Sequence, residues 1–87
     1  MKLINIGFGS YVSPDRLVAV LDPDSNPIKR VAAAAKEEGK LIDATYGRKT
    51  RSVLAADSGH VILCALTTES VSQRIAGKTE GADHEEE

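Results

Sequence analysis

Ile4, Ile6 and Phe8 alternate with Leu3, Asn5 and Gly7, a period of two that predicts a first strand with one strongly apolar face. Gly9-Ser10 allows a bend after it, and Ser13-Pro14-Asp15 reads as a turn. Arg16 then opens a second strand over 17–21, a continuous apolar run too short for a helix and ended by Asp22-Pro23-Asp24. The period changes after that. Ile28, Val31, Ala32 and Ala35 fall at i, i+3, i+4 and i+7, which predicts a helix over 27–38 with one apolar stripe against a sheet. Asn26 is placed to cap it, Pro27 to start it and Gly39 to stop it.

Three more strands are predicted at 41–46, 51–56 and 60–66, with Asp57-Ser58-Gly59 as hairpin chemistry between the last two and the apolar 61–66 run as a central strand. Thr67 or Thr68 can cap a short helix over 69–76, docked by Val71 and Ile75 and ended by Gly77. The fold class is therefore α+β: a small, mainly antiparallel sheet of about five strands, one main helix and a short C-terminal helix. There is no internal repeat.

Charge divides this picture in two. The whole chain of 87 residues has a net charge of -2, yet residues 1–78 hold all 11 Lys and Arg against 8 acids, a net of +3, and 79–87 hold five acids and no Lys or Arg. The reading is a single domain over 1–78 and a disordered acidic tail over 79–87, because the tail lacks any large apolar residue to offset the entropy of ordering. The one cysteine, Cys64, sits in an apolar strand, so an intramolecular disulfide and a cysteine-cluster metal site are both excluded. No apolar run approaches the ~18 residues of a membrane helix, and the first residues turn polar too soon for a signal peptide. The expectation is a cytoplasmic protein with no membrane partner and no cofactor.

Catalytic chemistry finds little support. The histidines are His60, beside a hairpin, and His84 in the tail, while Asp43, Asp57 and Glu69 fall on different elements. Gly7-Phe8-Gly9 begins like a dinucleotide fingerprint, but the third glycine is missing and Tyr11-Val12-Ser13-Pro14 stands where a helix should open. Glycines at a bend or bulge account for it better. No catalytic and no metal residue is assigned.

The basic turn Tyr46-Gly47-Arg48-Lys49-Thr50-Arg51 is different. Held between strands, Arg48, Lys49 and Arg51 form a fixed cluster that can meet successive phosphates, and arginine can also fork onto a phosphate or the O6/N7 edge of guanine. A solvated loop paired with acids such as Asp43 explains the same residues equally well. Lys29 and Arg30, cations at a helix start, oppose the helix dipole and are secondary candidates. An RNA-stacking platform wants exposed aromatics, and of Phe8, Tyr11 and Tyr46 only Tyr46 is expected to adjoin the basic cluster.

Asn5-Ile6-Gly7-Phe8-Gly9, Pro27-Ile28-Lys29-Arg30, the run from Leu41 through Asp43-Ala44-Thr45-Tyr46-Gly47 to Arg51, Asp57-Ser58 and His60-Val61-Ile62-Leu63 together resemble the RemA family of bacterial extracellular-matrix regulators over about residues 3–76. The resemblance implies a non-enzymatic transcriptional activator of biofilm-matrix genes that binds double-stranded DNA. It implies a protomer comparable to LytTR-type DNA-binding domains and a homo-oligomeric ring presenting repeated contacts. Its DNA-contacting arginines, carried over by matching motif, fall on Arg16 and on the pair Arg48 and Lys49, with Arg51 in the same cluster. A second arginine is usual where this chain has Lys49, so the charge survives while a bidentate fork does not. Pro27 is assigned to helix initiation. The competing reading is a structural or protein-interaction module whose basic turn meets an acidic partner.

Overall fold

A computed structural model describes residues 2–77. The acidic segment 79–87, with His84, lies outside the described residues. The fold is α+β, and the described residues form two helices and two sheets of mostly antiparallel strands. β1 (Ile4–Asn5) and β2 (Tyr11–Val12) pair as a short antiparallel hairpin, and a single 3₁₀ turn (Pro14–Arg16) leads into β3 (Leu17–Leu21). Then come α1 (Asn26–Glu37), β4 (Leu41–Asp43), β5 (Ser52–Ala56), β6 (Val61–Cys64) and α2 (Thr68–Ile75).

The larger sheet has the order β3-β5-β6-β4. β5 pairs antiparallel with β3 and β6, while β4 lies parallel to β6. β6 is thus interior, as its unbroken apolar run predicts. Its residues alternate between two buried faces: Val61 packs with Val53 and Ala35 on one, and Ile62 and Cys64 join Leu54, Leu66 and Val71 on the other. α1 covers the first face. The β1-β2 hairpin, through Ile4 and Ile6, and α2, through Val71, cover the second. Both faces being dry is why the strand carries no polar alternation.

Several boundaries differ from the sequence-based expectation. The first strand is cut short because the chain turns at Gly7 rather than after Phe8, and it returns as β2, an element the apolar pattern did not mark. The strand expected over 41–46 ends at Asp43, whose carboxylate takes hydrogen bonds from the Thr45 backbone N–H at 2.9 Å and the Thr45 hydroxyl at 2.6 Å. That local ring competes with the ladder and bends the chain. α1 starts one residue early, with Ser25 as its N-cap and Asn26 inside the helix. Ile28, Ala32 and Ala35 face the sheet as the stripe requires, but Val31 is 43% exposed. Thr67 caps α2 by accepting the Ser70 N–H, and Val71 docks while Ile75 points outward.

Candidate nucleic-acid interface

Residues 44–51 do not close a hairpin. β4 and β5 lie on opposite sides of β6, so this connection crosses the end of β6 from one neighbour to the other. It is tied to that strand at both ends: the Ala44 N–H donates to the Leu63 carbonyl at 2.9 Å and the Arg51 N–H to the Cys64 carbonyl at 2.8 Å. Between these anchors Thr45 is buried, and the Arg48 N–H donates back to the Thr45 carbonyl at 3.1 Å. Tyr46 and Gly47, with φ of 56° and 84°, occupy the middle of that turn. Two successive left-handed residues closed by an i to i+3 bond are the signature of a type I′ turn.

A second turn of the same kind faces it. The Ser10 N–H donates to the Gly7 carbonyl at 3.0 Å across Phe8 and Gly9, with φ of 56° and 82°. Asn5 Oδ1 accepts the Gly7 N–H at 2.7 Å and the Ile6 N–H donates to the Ser10 carbonyl, which fixes the tip of the β1-β2 hairpin. The Gly7-Phe8-Gly9 motif is therefore turn chemistry. Each turn carries an aromatic residue at its first left-handed position, where Asn, Asp or Gly is favoured. The two rings meet, with centroids 6.0 Å apart and planes inclined by 46°. The Ser10 hydroxyl donates to the Tyr46 hydroxyl oxygen at 3.4 Å.

Arg48 joins this pair. Its guanidinium carbon lies 4.3 Å from the centroid of the Phe8 ring, within cation–π range. Phe8 thus belongs to the basic cluster alongside Tyr46. The sequence carries no sign of this, since nothing local links residues 8 and 46 and only Tyr46 is expected at the cluster. The Asp43 carboxyl at the base of the turn is held below the usual aspartate range, first by the Thr45 hydroxyl and then by the Thr45 backbone N–H.

The other candidates fall in two places. Lys49 and Arg51 are exposed and line a polar cleft with Thr50, the Asp22-Pro23-Asp24 loop and the start of α2. Lys29 lies on the same end of the molecule, bordering an apolar cleft of about 220 Å³ between α1 and the sheet that also touches Thr50. Arg30 is exposed on α1.

Arg16 is elsewhere. β3 and β5 run antiparallel with Leu17 opposite Ala56, so Arg16 sits beside Asp57, at the other end of β5 from Arg51. Six positions of extended strand separate Arg51 and Asp57, about 20 Å. Arg16 is therefore not a neighbour of the basic turn within one chain. Its Nε donates to both Asp57 carboxylate oxygens, at 3.0 and 2.8 Å, and the Asp57 N–H donates to the Arg16 carbonyl. The pair is half exposed. The Arg16 hydrogen bond holds the Asp57 carboxyl below its ordinary range.

The sequence profile described as extracellular matrix regulatory protein A-like, the RemA-like family, matches residues 3–75. The chain belongs to this family. A "putative regulatory protein" of Dictyoglomus turgidum is 59% identical over 87 residues, covering 100% of this chain and 98% of its own length. A protein of the same description from Clostridium botulinum strain Hall is 57% identical over 83 residues, 95% of this chain and 91% of its own. Another from Cyanothece sp. strain PCC 7425 is 60% identical over 75 residues, 86% of this chain and 82% of its own. The RemA-like span takes in both type I′ turns, Arg16 and the whole basic connection. Among the described residues no cluster of three or more His, Cys, Asp or Glu could hold a metal ion, and no helix is long and apolar enough to cross a membrane.

Proposed function

We propose that this RemA-like protein is an oligomeric, double-stranded-DNA-binding transcriptional regulator of extracellular-matrix genes. The observation that carries the reading is the mounting of Arg48: a guanidinium stacked on Phe8, above a turn tied at both ends to the interior strand β6. A charge that merely confers solubility needs no such support. Lys49 and Arg51 extend the positive surface from the same connection, and Lys29 adds a fourth cation at that end of the molecule.

A domain of net charge +3 binds phosphate weakly, so strength has to come from repetition. The four-stranded sheet supports assembly, because β3 and β4 are both edge strands and carry exposed Val18 and Ile42. In a homo-oligomeric ring each copy would contribute two separated contact points, the connection 48–51 and Arg16, to one duplex. The relatives' description as regulatory proteins agrees with this role.

Titrating the protein against labelled duplex DNA at several salt concentrations tests the proposal, with native mass read in parallel. Arg48→Ala and Arg16→Ala should each weaken binding and leave the oligomer mass unchanged. Undiminished affinity in both variants, at unchanged mass, sinks the assignment. Binding to acidic peptides in preference to DNA would favour a protein-interaction module instead.

A further inference from the structure

We propose that Phe8 is a positioning residue for DNA recognition, its ring fixing the Arg48 guanidinium in the orientation that meets the duplex; the inference rests on the DNA-binding reading above. Phe8 stands at a φ of 56°, a conformation that disfavours bulky side chains, at the tip of a hairpin where asparagine or glycine would fold more readily. A disfavoured residue at such a point indicates a role for its side chain. Here the ring has two neighbours, Tyr46 across the gap between the turns and Arg48 over its face.

The chemistry of that contact explains the choice of residue. An arginine on an open surface samples many rotamers, and each DNA contact must order it again. An aromatic face against the cation restricts the side chain beforehand, and a guanidinium's hydrogen bonds to phosphate or guanine run in its own plane. An aliphatic residue would fill the space without attracting the cation. Tyr46 also packs against the ring, and its own turn carries Arg48 two residues later, so the contact ties the two turns together at the cation.

The test is a double-mutant cycle in the full-length protein, using labelled mixed-sequence duplex DNA and comparing wild type, Phe8→Leu, Arg48→Ala and the double variant, with Phe8→Trp as the conservative rescue. Phe8→Leu should weaken binding by roughly three- to tenfold. In the Arg48→Ala background it should add no further loss, and Phe8→Trp should bind as wild type does. An equal loss from Phe8→Leu in both backgrounds would show that Phe8 acts on the fold alone, and the inference would be wrong. Wild-type affinity in Phe8→Leu beside weakened Arg48→Ala would overturn the inference while leaving the DNA reading intact; wild-type affinity in Arg48→Ala would likewise overturn the inference, and absence of DNA binding by the wild type would remove the DNA reading itself. If Phe8→Leu does not fold, proton NMR of the free wild-type protein decides: the Arg48 side-chain protons should be shifted upfield by the ring, and ordinary shifts would refute the stack.

Discussion

Arg16 holds Asp57 through a single nitrogen, Nε, which reaches both carboxylate oxygens at 3.0 and 2.8 Å. That geometry spends one of the five guanidinium N–H groups on the protein. It also couples the start of β3 to the β5-β6 hairpin, because the Asp57 N–H donates to the Arg16 carbonyl in return. Asp57 is therefore an orienting anion for Arg16 and, by its charge, an opponent of phosphate at the same place.

The Asp57 carboxyl is depressed chiefly by the Arg16 hydrogen bond. A depressed carboxyl contributes stability above the unfolded value of about 3.9, and loses it as pH falls through the folded value. Carboxyl-carbon NMR should show Asp57 titrating below that of a free aspartate, and Arg16→Ala should return it upward. The pair is solvent-exposed, so its effect on unfolding should be small and should shrink further in high salt. A normal Asp57 titration in the wild type would contradict the ion pair.

Much of the fold was legible in the chain's pattern, and the misses share a cause. β6 declared itself because both its faces are buried, and α1 because three of its four stripe residues do face the sheet. Spacing alone places Val31 and Ile75 on a buried stripe, but both are exposed, because spacing cannot say how wide the covered stripe is. The shortened strands at Asn5 and Asp43 were hidden because turn chemistry overrode apolar alternation: Asp43 prefers its hydrogen bonds to Thr45, and Phe8-Gly9 looks like the end of a strand until its left-handed conformation is seen. The basic turn was visible as composition. Its dependence on Phe8 was not, since that contact spans 40 positions between Phe8 and Arg48 and is made by tertiary packing.

Gly47→Ala should destabilise the protein through backbone strain alone. A Cβ at Gly47 meets nothing within 4 Å, but the φ of +84° is disfavoured for any L side chain, at a cost of about 1–2 kcal/mol. For a domain of this size that corresponds to a fall in Tm of roughly 4–16 °C. Gly47→Asn should be milder, because asparagine tolerates the left-handed region. Calorimetry on the two variants checks the order, and equal stability of Gly47→Ala and wild type would argue against the type I′ turn.

Deleting 79–87 removes five acidic residues and, with them, their negative field at the described domain. DNA affinity at low salt should rise, and the difference should fade as salt screens the tail's charge over about 10 Å at 0.1 M. Unchanged low-salt affinity would mean that the tail does not compete with phosphate.

Arg48 and Lys49 should fail in different ways when substituted. Lys49 is exposed and offers a point charge, so Lys49→Ala should weaken binding about equally on all sequences and shallow the log–log salt slope by roughly one unit. Arg48→Lys keeps the charge and hence most of the slope. It gives up the planar guanidinium and the bidentate geometry, so its affinity should fall while its salt dependence stays near wild type. Measuring both variants across a salt series separates a phosphate contact from a geometrically defined one. If Arg48→Lys binds as wild type does, the guanidinium's planar shape is irrelevant to recognition. Lys49→Arg supplies the converse: it offers a second fork beside Arg48, and tighter binding at an unchanged slope would show that a planar group at that position can use its geometry on the duplex.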